Sequence, residues 1–308
     1  MEELISVIIP AFNAEKYIST SLLSVLNQTY KNVEIIIIND GSTDSTQEIV
    51  QTLQNSDSRI KLHSIKNRGR AGARNYGIKQ STGSWLAFLD ADDFWYPNKL
   101  ELQYEKYLLN NNIGLIYSER TWVDQFDNPL ESQPEKYNLP EGEIYLNLVE
   151  GNYLCTSTVV IKKDIVNEVG AFDESSGFKN CQDYDLWIRA SVVTQAAAIK
   201  VPLCYYRLHD ENAHKNIKSR YVGMRSCMNR LREVAKIHFN NDAILDKKIN
   251  SREALICKQF GMQFFRVGIY DLATEALGFS NKIEKLPSKA YVALLVAKAL
   301  KFIKVNNK

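Results

Sequence analysis

The chain has 308 residues, of which 45% are hydrophobic and 24% charged, and its formal net charge is +2 at pH 7. These proportions are ordinary for a globular protein and exclude a disordered or low-complexity chain. The small net charge excludes the overall basic field on which nucleic-acid binders rely, so we expect no nucleic-acid partner.

From Leu4 to about Leu89 short apolar runs alternate with helical stretches, a pattern typical of βαβ units and a mainly parallel sheet. The predicted strands are Ile5 to Ile9, Val33 to Ile38, Ile60 to Ser64 and Trp85 to Leu89. Ala14 to Asn27 has helical periodicity. Asp44, with Gln47 three residues later, resembles a capping box that opens a second helix.

Polar side chains follow three of these strands at the point where each strand ends. Asn13 follows the first strand, Asp40 the second and Asp90 the fourth. Because ligands bind at the carboxyl edge of open α/β sheets, we expect these three side chains to converge there.

After residue 95 the pattern loosens and then becomes wholly helical. We predict helices at Asn98 to Asn110 and Gln182 to Ser191, and strands at Tyr117 to Val123, Ser157 to Ile161 and Ile199 to Tyr206. A polar loop at Asp127 to Pro140 has a length that is often found in functional loops. Beyond Lys215 only amphipathic helices are predicted, with a break near Pro287, so we place a domain boundary near residue 215.

The segment Leu86 to Trp95 is an apolar strand that ends in three carboxylates, Asp90, Asp92 and Asp93. Hard divalent cations such as Mg²⁺ or Mn²⁺ are held by one or two carboxylates together with phosphate oxygens. The cluster therefore predicts a metal-diphosphate site. The alternative is that these residues cap a helix or form a turn before Pro97.

A second buried strand ends in Asp40, followed by Gly41. The carboxylate can accept a hydrogen bond from a nucleotide base, and the glycine lets the backbone approach a ligand closely. A plain helix-entry turn would explain the same residues.

The order and spacing of these segments resemble those of glycosyltransferase family 2, a group of inverting enzymes with the GT-A fold. The matching segments are Ser6 to Asn13, Asn39 to Ser42, Asn67 to Gly77, Asp90 to Asp93, Gly170 to Glu174, Asp183 to Trp187 and Tyr206 to His209. The resemblance covers roughly residues 4 to 210. It implies an α/β catalytic domain of the Rossmann-like GT-A type, with a mainly parallel central sheet, at residues 1–215. A donor half (about 1–95) and an acceptor half (about 96–215) would precede a helical C-terminal extension at 216–308.

The resemblance also implies a pocket for a nucleotide-sugar donor and a metal site. The donor residues would be Pro10, Ala11, Phe12, Asn13, Glu15, Asp40, Arg74, Asp90, Ala91 and Asp92. Asp40 would recognise the base, and Arg74 would support the nucleotide. Asp92 would contact Mn²⁺ or Mg²⁺ directly, and Asp90 would bind the ribose or the metal through water, with Asp93 as a substitute. The cation would offset the negative charge that grows on the diphosphate leaving group.

Asp183 matches the family position of the catalytic base, which removes the proton of the acceptor hydroxyl. A predicted helix begins here, and its N-terminal dipole favours the ionised carboxylate. The alternative is that Asp183 only caps this helix. The family commonly has glutamate directly before this aspartate, whereas this chain has Gln182, an uncharged amide that can still hydrogen-bond a sugar hydroxyl of the acceptor.

Three ring-bearing side chains complete the predicted site. His209, beside Arg207, can reach the metal or a phosphate, and a surface histidine without such a role is the alternative. Trp95 and Trp187 are acceptor-site candidates because each can offer a flat apolar surface to a sugar ring. Large aromatic residues at such positions are more often core residues, which is the alternative here.

Residues 281–308 contain seven lysines and a single acid, Glu284. Tyr291 to Ile303 can form a helix whose apolar face lies on an anionic membrane, which would suit a lipid-linked acceptor. The alternative, which we favour, is that this face packs on the catalytic domain or on a second subunit while the lysines stay solvated.

The five cysteines are widely spaced and include no CxxC pair, so we expect them to be reduced and mostly buried. The N-terminus has no signal-peptide pattern. The apolar stretch Ala290 to Leu300 is too short for a membrane span, which needs about 20 apolar residues. We therefore expect a cytoplasmic location, with the inner face of the plasma membrane as a second option.

The sequence thus predicts inverting transfer of a hexose-like sugar from a nucleotide diphosphate, UDP first and dTDP next. The acceptor would be a hydroxyl of a saccharide or lipid-linked saccharide in polysaccharide or glycolipid assembly. One alternative, a nucleotidyltransferase, would need an N-terminal Gly-rich, lysine-bearing phosphate loop, which we do not find. The other, a sugar-nucleotide-binding protein with impaired catalysis, is favoured only by Gln182, whereas Asp90, Asp92 and Asp183 are intact.

Overall fold

A computed structural model describes residues 2–132, 138–209, 216–240 and 242–306, with side chains up to residue 302. The chain divides into two compact units. The first comprises Met1–Glu174 and Gln182–Asn212, and the second comprises Ser175–Cys181 and Ala213–Lys308. The boundary predicted near residue 215, and residues 133–137 of the predicted polar loop, lie outside the described residues.

Eight strands of the first unit form one sheet. They are β1 (Ile5–Ala11), β2 (Val33–Asn39), β3 (Ile60–Ser64), β4 (Trp85–Phe88), β5 (Phe94–Trp95), β6 (Ile113–Val123), β7 (Val160–Lys162) and β8 (Gln195–Arg207). Their order is β3-β2-β1-β4-β7-β6-β8-β5. β1 is parallel to β2 and β4, β2 to β3, and β6 to β8, whereas β7 is antiparallel to β4 and β6, and β5 to β8. The predicted mainly parallel α/β sheet is confirmed.

The described α-helices of the first unit connect these strands. They are α1 (Ile18–Leu26), α2 (Thr46–Gln54), α3 (Gly69–Gln80), α4 (Lys99–Leu108), α5 (Tyr145–Glu150), α6 (Lys163–Val169) and α7 (Gln182–Ala190). A short 3-10 helix at Thr156–Thr158 precedes β7, and another at Ser176–Phe178 lies in the second unit.

Strand β2 is buried at every residue because helices cover both faces of the sheet. Ile35 and Ile37 pack in one cluster with residues of α1 and α2, whereas Ile36 and Ile38 pack on Ala73 of α3. Helix α3 approaches β1 closely, since a Cβ at Gly77 would lie 2.6 Å from Cγ2 of Ile8. This contact needs glycine and positions the rest of α3 against the carboxyl edge.

Several details differ from the sequence prediction, among them β6 and β8, which each begin four residues before the predicted strand. The capping box is wrong, because the Gln47 side chain accepts a hydrogen bond from Asn39 Nδ2 at 2.9 Å instead of returning to the start of α2. The strand predicted from Ser157 begins only at Val160, after the 3-10 turn. Helix α3 is not among the predicted elements, since glycine and arginine replace an apolar stripe in its sequence.

Four long helices form the C-terminal part of the second unit. They are α8 (Ile217–His238), α9 (Ala243–Arg266), α10 (Tyr270–Ile283) and α11 (Ser288–Asn306). Leu277 of α10 and Leu294 of α11 belong to one apolar cluster, together with Leu286 between the two helices. The predicted helical C-terminal segment and its break near Pro287 are confirmed.

No helix among the described residues combines the length and the apolar character that crossing a membrane requires.

Candidate active site

The carboxyl ends of β1 and β2 are joined by hydrogen bonds at one edge of the sheet. The backbone N–H of Asp40 donates to the carbonyl of Ala11 at 2.8 Å, and the Oδ1 of Asn13 accepts from the N–H of Thr43 at 2.9 Å. The Leu89 N–H of the neighbouring strand end donates to Ile8 at 3.1 Å, which brings Asp90 to the same edge. The expected convergence of the three strand ends is confirmed.

The loop after β1 is held by the turn that follows β2. The Glu15 carboxylate accepts from the Ser45 N–H at 3.0 Å, so this predicted donor residue braces the start of α2. Pro10 and Ala11 are the last residues of β1. Phe12 directly after them is 52% exposed, which leaves an aromatic ring in solvent beside the turn.

Asp40 is buried, and its Oδ1 accepts from the backbone N–H of Arg68 at 2.7 Å. Burial raises the pKa of this carboxyl, although the hydrogen bonds from the Arg68 and Gly69 backbone act in the opposite direction. Gly41 has a φ of 78°, and a Cβ there would lie 3.1 Å from the Asn67 nitrogen. The turn therefore favours glycine, both for its backbone angle and for the close approach of Asn67.

Arg74 of α3 forms an ion pair with the carboxylate of Asp90. Its side chain is only 4% exposed and lies over the Phe172 ring, 5.3 Å from the ring centre. The Nε of Arg74 is buried and has no hydrogen-bond partner among the described residues. The guanidinium thus neutralises Asp90 and keeps one donor unused.

Asp90, Asp92 and Asp93 each place a carboxylate oxygen within 4.8 Å of the others. Burial alone would raise the pKa of Asp92, but the hydrogen bond from His209 and the charges of Arg70 and His209 outweigh it and lower that pKa. His209 Nε2 lies 2.9 Å from Asp92 Oδ2. In this arrangement His209 contacts a carboxylate of the predicted metal site, while its role as a metal ligand stays a prediction.

Asp93 lies deeper than the other two carboxylates. One of its oxygens accepts from the backbone N–H of Arg207 at 3.0 Å, and the other accepts from the Ser157 hydroxyl. Burial, and then the charges of Asp92 and Asp90, raise the pKa of Asp93 well above its ordinary value. Because both oxygens already have protein donors, Asp93 is placed to hold the shape of the segment Asp90 to Asp93, which we call the carboxylate loop.

Arg207 links this loop to a second one. Its Nε donates to the carbonyl of Asp92 at 2.7 Å, and its Nη1 is paired with Asp127. The same guanidinium lies 4.5 Å from the centre of the Tyr17 ring, on which His209 also packs at 5.2 Å. The sequence reasoning missed Tyr17 and Asp127, since no motif marks either residue.

Asp183 is the second residue of α7 and is partly buried. Its Oδ2 lies 3.3 Å from both Asn152 Nδ2 and the Thr156 hydroxyl. Burial raises the pKa of Asp183, the charge of Arg74 lowers it, and the charge of Asp90 raises it again, with a net increase. The structure therefore brings the predicted base within electrostatic reach of the Arg74–Asp90 pair.

Two of the predicted acceptor residues belong to the core. Trp95 is 3% exposed and its Nε1 donates to the Ser157 carbonyl at 2.7 Å, while Trp187 is fully buried. Neither ring offers a surface to a sugar, so these two predictions are wrong. Gln182 begins α7 next to Asp183 and is partly exposed, which leaves it accessible to a ligand.

All five cysteines are free, and four of them are buried, as expected. Ser157, Thr156 and Asn152 are functional neighbours that sequence reasoning missed. The only available signal was their position just before β7, in a segment where three hydroxyl residues, Thr156 to Thr158, follow an apolar run. That pattern does not distinguish a site from an ordinary loop.

Sequence comparison identifies relatives of the chain. The sequence model described as "Glycosyl transferase family 2" matches residues 6–169. An uncharacterized glycosyltransferase of Haemophilus influenzae is 36% identical over 164 residues, which cover 53% of this chain and 64%, less than two thirds, of that protein. Escherichia coli WfgD is named as a UDP-Glc:alpha-D-GlcNAc-diphosphoundecaprenol beta-1,3-glucosyltransferase. It is 36% identical over 216 residues, 69% of this chain and 80% of WfgD.

Solved structures share the fold. S. aureus TarS 1–349 in complex with UDP-GlcNAc matches with a TM-score of 0.68 at 19% identity, covering 96% of this chain and 87% of that one. The mannosyltransferase PcManGT from Pyrobaculum calidifontis, in complex with GDP-Man and Mn²⁺, matches with a TM-score of 0.59 at 17% identity. It covers 97% of this chain and 81% of that one. The predicted GT-A architecture is confirmed.

Proposed function

Because the chain belongs to glycosyl transferase family 2, we propose that it moves a hexose-like sugar from a nucleotide diphosphate to a hydroxyl acceptor, with inversion at the anomeric carbon. UDP is the favoured nucleotide and dTDP the next. The observation that carries this proposal is the single cluster formed by the Arg74–Asp90 pair, the Asp92–His209 contact and Asp183. A cationic side chain for a diphosphate, carboxylates for a metal cation and a carboxylate for the catalytic base then lie close to one another.

The donor nucleotide would lie along the edge from Phe12 to Asp40. Asp40 would recognise the nucleotide base through its carboxyl, and the exposed Phe12 ring can stack on that base. Arg74 would support the nucleotide through its positive charge and through Asp90, with which it is paired. Residues 1–95 would thus form the donor half of a catalytic domain that ends near residue 215.

The three carboxylates fit a hard divalent cation such as Mn²⁺ or Mg²⁺, because they offer only oxygen atoms at close spacing. Asp92 suits direct contact, since its lowered pKa keeps it ionised. Asp90 and His209 would complete the protein side of the site. A bound cation would supply charge that offsets the growing negative charge on the diphosphate leaving group.

Asp183 would act as the base. As the acceptor oxygen forms its bond to the anomeric carbon, the hydroxyl proton passes to the Asp183 carboxylate and the bond to the diphosphate breaks, so that nucleoside diphosphate leaves with the electron pair. Asn152 and Thr156 donate toward Asp183 Oδ2 and hold this carboxylate in place. Gln182, next to it, would hydrogen-bond the acceptor sugar.

The acceptor would be a saccharide or a lipid-linked saccharide in polysaccharide or glycolipid assembly. WfgD, whose name specifies a lipid-linked sugar, supports this choice because it matches over 69% of the chain. We place the protein in the cytoplasm, in contact with the inner face of the plasma membrane.

Helix α11 supports a membrane contact. Tyr291, Leu295 and Phe302 lie on one stripe of the helix and are 45%, 48% and 69% exposed, while Leu294 is buried in the second unit. Lys298 falls between Leu295 and Phe302 at the border of this stripe. Exposed apolar side chains can insert into an anionic bilayer while a neighbouring lysine contacts its negatively charged headgroups. Because this stripe is exposed, we now favour a membrane contact over the packed face that the sequence favoured, and a homodimer through the same stripe is the alternative.

Calorimetric titration of UDP, dTDP, GDP and CDP, with Mn²⁺ and again with chelator, tests this function. We expect tight, metal-dependent binding of UDP. Failure of every nucleotide to bind would contradict the enzyme proposal. A sugar-nucleotide-binding protein would bind UDP but neither transfer nor hydrolyse the sugar, and a nucleotidyltransferase would release diphosphate from a nucleoside triphosphate.

A further inference from the structure

Arg120 of β6 is a cation in an aromatic setting next to the site. Its guanidinium lies 4.8 Å from the Trp122 ring centre and 5.5 Å from that of Tyr206. Arg120 and Trp122 share one face of β6, and the parallel pairing places Tyr206 of β8 directly opposite Trp122. The Nε of Arg120 is buried and lacks a hydrogen-bond partner among the described residues.

No carboxylate of the described residues lies within ion-pair distance of Arg120, in contrast with Arg207 on the neighbouring strand, which is paired with Asp127. A partly buried cation loses hydration, and contact with aromatic faces restores only part of that loss. The Arg120 guanidinium makes no hydrogen bond to another described residue, so its terminal N–H groups are left for an incoming anion. The planar guanidinium suits a phosphate in particular, since it can donate two parallel hydrogen bonds.

Arg120 lies near the proposed catalytic base, Asp183. Its positive charge acts on Cys155, whose thiol is also within electrostatic reach of Asp93 and Asp90. The next residue, Thr156, places its hydroxyl 3.3 Å from the carboxylate of Asp183. An anion on Arg120 would thus lie on the Asp183 side of the site.

We propose that Arg120, supported by the Trp122 and Tyr206 rings, binds a phosphate group carried by the acceptor. The inference rests on the proposed function, which assigns the donor diphosphate to Asp90, Asp92 and Arg74. The accepting hydroxyl and the phosphate of a sugar phosphate belong to one sugar ring, so neighbouring subsites for the two are required. An acceptor linked to its carrier through phosphate or diphosphate satisfies this geometry, whereas a neutral glycoside leaves Arg120 unused.

The test compares two acceptors that differ in the diphosphate group, an alkyl diphosphate glycoside of α-GlcNAc and the neutral alkyl α-glycoside that lacks it. Native protein should prefer the diphosphate in kcat/KM. We expect Arg120→Met to reduce the ratio of the two values roughly tenfold to a hundredfold, the range for hydrogen bonds to charged groups. Arg120→Lys should restore part of the preference. Lys162→Met is the matched control, since Lys162 also lies over two rings, Tyr107 at 4.5 Å and Trp85 at 5.6 Å.

The outcomes separate this inference from the proposed function. A native protein that binds no UDP overturns the function itself. A native protein that binds UDP and transfers to both glycosides equally well overturns the role of Arg120 alone. The role is also overturned if Arg120→Met lowers both kcat/KM values by the same factor, or if it weakens UDP binding as strongly as acceptor use, which would assign Arg120 to the donor diphosphate.

Discussion

Arg74 and Asp90 form an ion pair in which the cation is buried and the anion reaches solvent, with side-chain exposures of 4% and 30%. The pair joins helix α3, which packs on β1 and β2, to the segment that follows β4. Because Arg74 neutralises the first of three neighbouring carboxylates, the remaining negative charge is concentrated on Asp92. This relationship sets the charge balance of the whole metal site.

The two halves of this pair should respond differently to substitution. Asp90→Asn leaves a buried guanidinium without its anion and should lower the free energy of unfolding by about 3 kcal/mol, the low end of the range for breaking a buried pair. Arg74→Met leaves a carboxylate that water can reach and should lower it by less. Urea unfolding of both single variants and the double variant measures the difference. A larger loss in Arg74→Met would contradict the assigned burial.

Asp183→Asn should lower kcat by about 10² to 10⁴-fold, the usual contribution of a general base, because the amide cannot accept the acceptor proton. The Kd for UDP should stay within about twofold, since Asp183 lies outside the proposed donor pocket. Steady-state kinetics and calorimetry on one preparation decide the point. An equal loss of UDP affinity would move Asp183 out of the base role.

The rate should also depend on pH through Asp183. Burial raises the pKa of this carboxyl, and the base works only when ionised. The acid limb of kcat against pH should therefore lie above the ordinary aspartate pKa, with activity lost as the pH falls through the raised value. A limb at or below the ordinary value would show that another group limits the reaction.

His209→Gln should weaken metal-dependent UDP binding by about 10- to 100-fold, which is typical for residues that orient a ligand carboxylate. The substitution removes the imidazole from Asp92, whose pKa the hydrogen bond helps to lower. His63→Gln is the control, because His63 packs on Tyr76 in the way that His209 packs on Tyr17. Manganese titration at fixed UDP compares them, and equal behaviour of both variants would exclude a special role for His209.

Glu34 should make the fold acid-sensitive. Burial opposes ionisation, yet hydrogen bonds from Lys61, Ser6 and Thr82 lower its pKa to about 2. A pKa that is lower in the folded state gives stability that is present above the unfolded value and lost as the pH falls toward 2, here about 3 kcal/mol. Urea unfolding between pH 7 and pH 3 should show about two thirds of this loss, because pH 3 still lies above the folded-state pKa, and Glu34→Gln should flatten the curve. An unchanged curve in Glu34→Gln would assign the acid sensitivity to other groups.

Leu295→Ser should reduce binding to vesicles that contain anionic lipid by about tenfold, because it removes apolar area from the exposed stripe of α11. Val267→Ser is the control, since Val267 is 62% exposed but lies outside that stripe. Co-sedimentation at low and high salt measures both. If Leu295→Ser instead converts a dimer to a monomer without changing vesicle binding, the stripe is a subunit interface.

The sequence was sufficient to predict where a site residue lies when that residue directly follows a strand. Asn13 and Asp40 end apolar strands whose parallel pairing is predictable from the βαβ pattern, so their convergence was predictable as well. The burial of Trp95 was not, because it depends on packing against Ser157 and Lys99, which no local pattern reveals.

The residues that bind the carboxylate loop could not be predicted from the sequence either, because they are distant along the chain. Ser157 reaches Asp93 across 64 residues, and Arg207 reaches Asp127 across 80. Serine and aspartate occur in most polar loops, so neither residue type marks such a contact. Only the three-dimensional arrangement of β5, β7 and β8 brings them together.

The hydrogen bond from the Arg207 backbone to Asp93 spans 114 residues, and among the described residues strand β5 pairs with β8 alone. During synthesis on the ribosome, β1 to β4 emerge early and can pair with one another, whereas the carboxylate loop must wait for the chain through residue 207. The nucleotide pocket can therefore assemble before the loop is fixed. A nascent chain would pass through a stage in which its acidic residues are present but not yet organised to hold a cation.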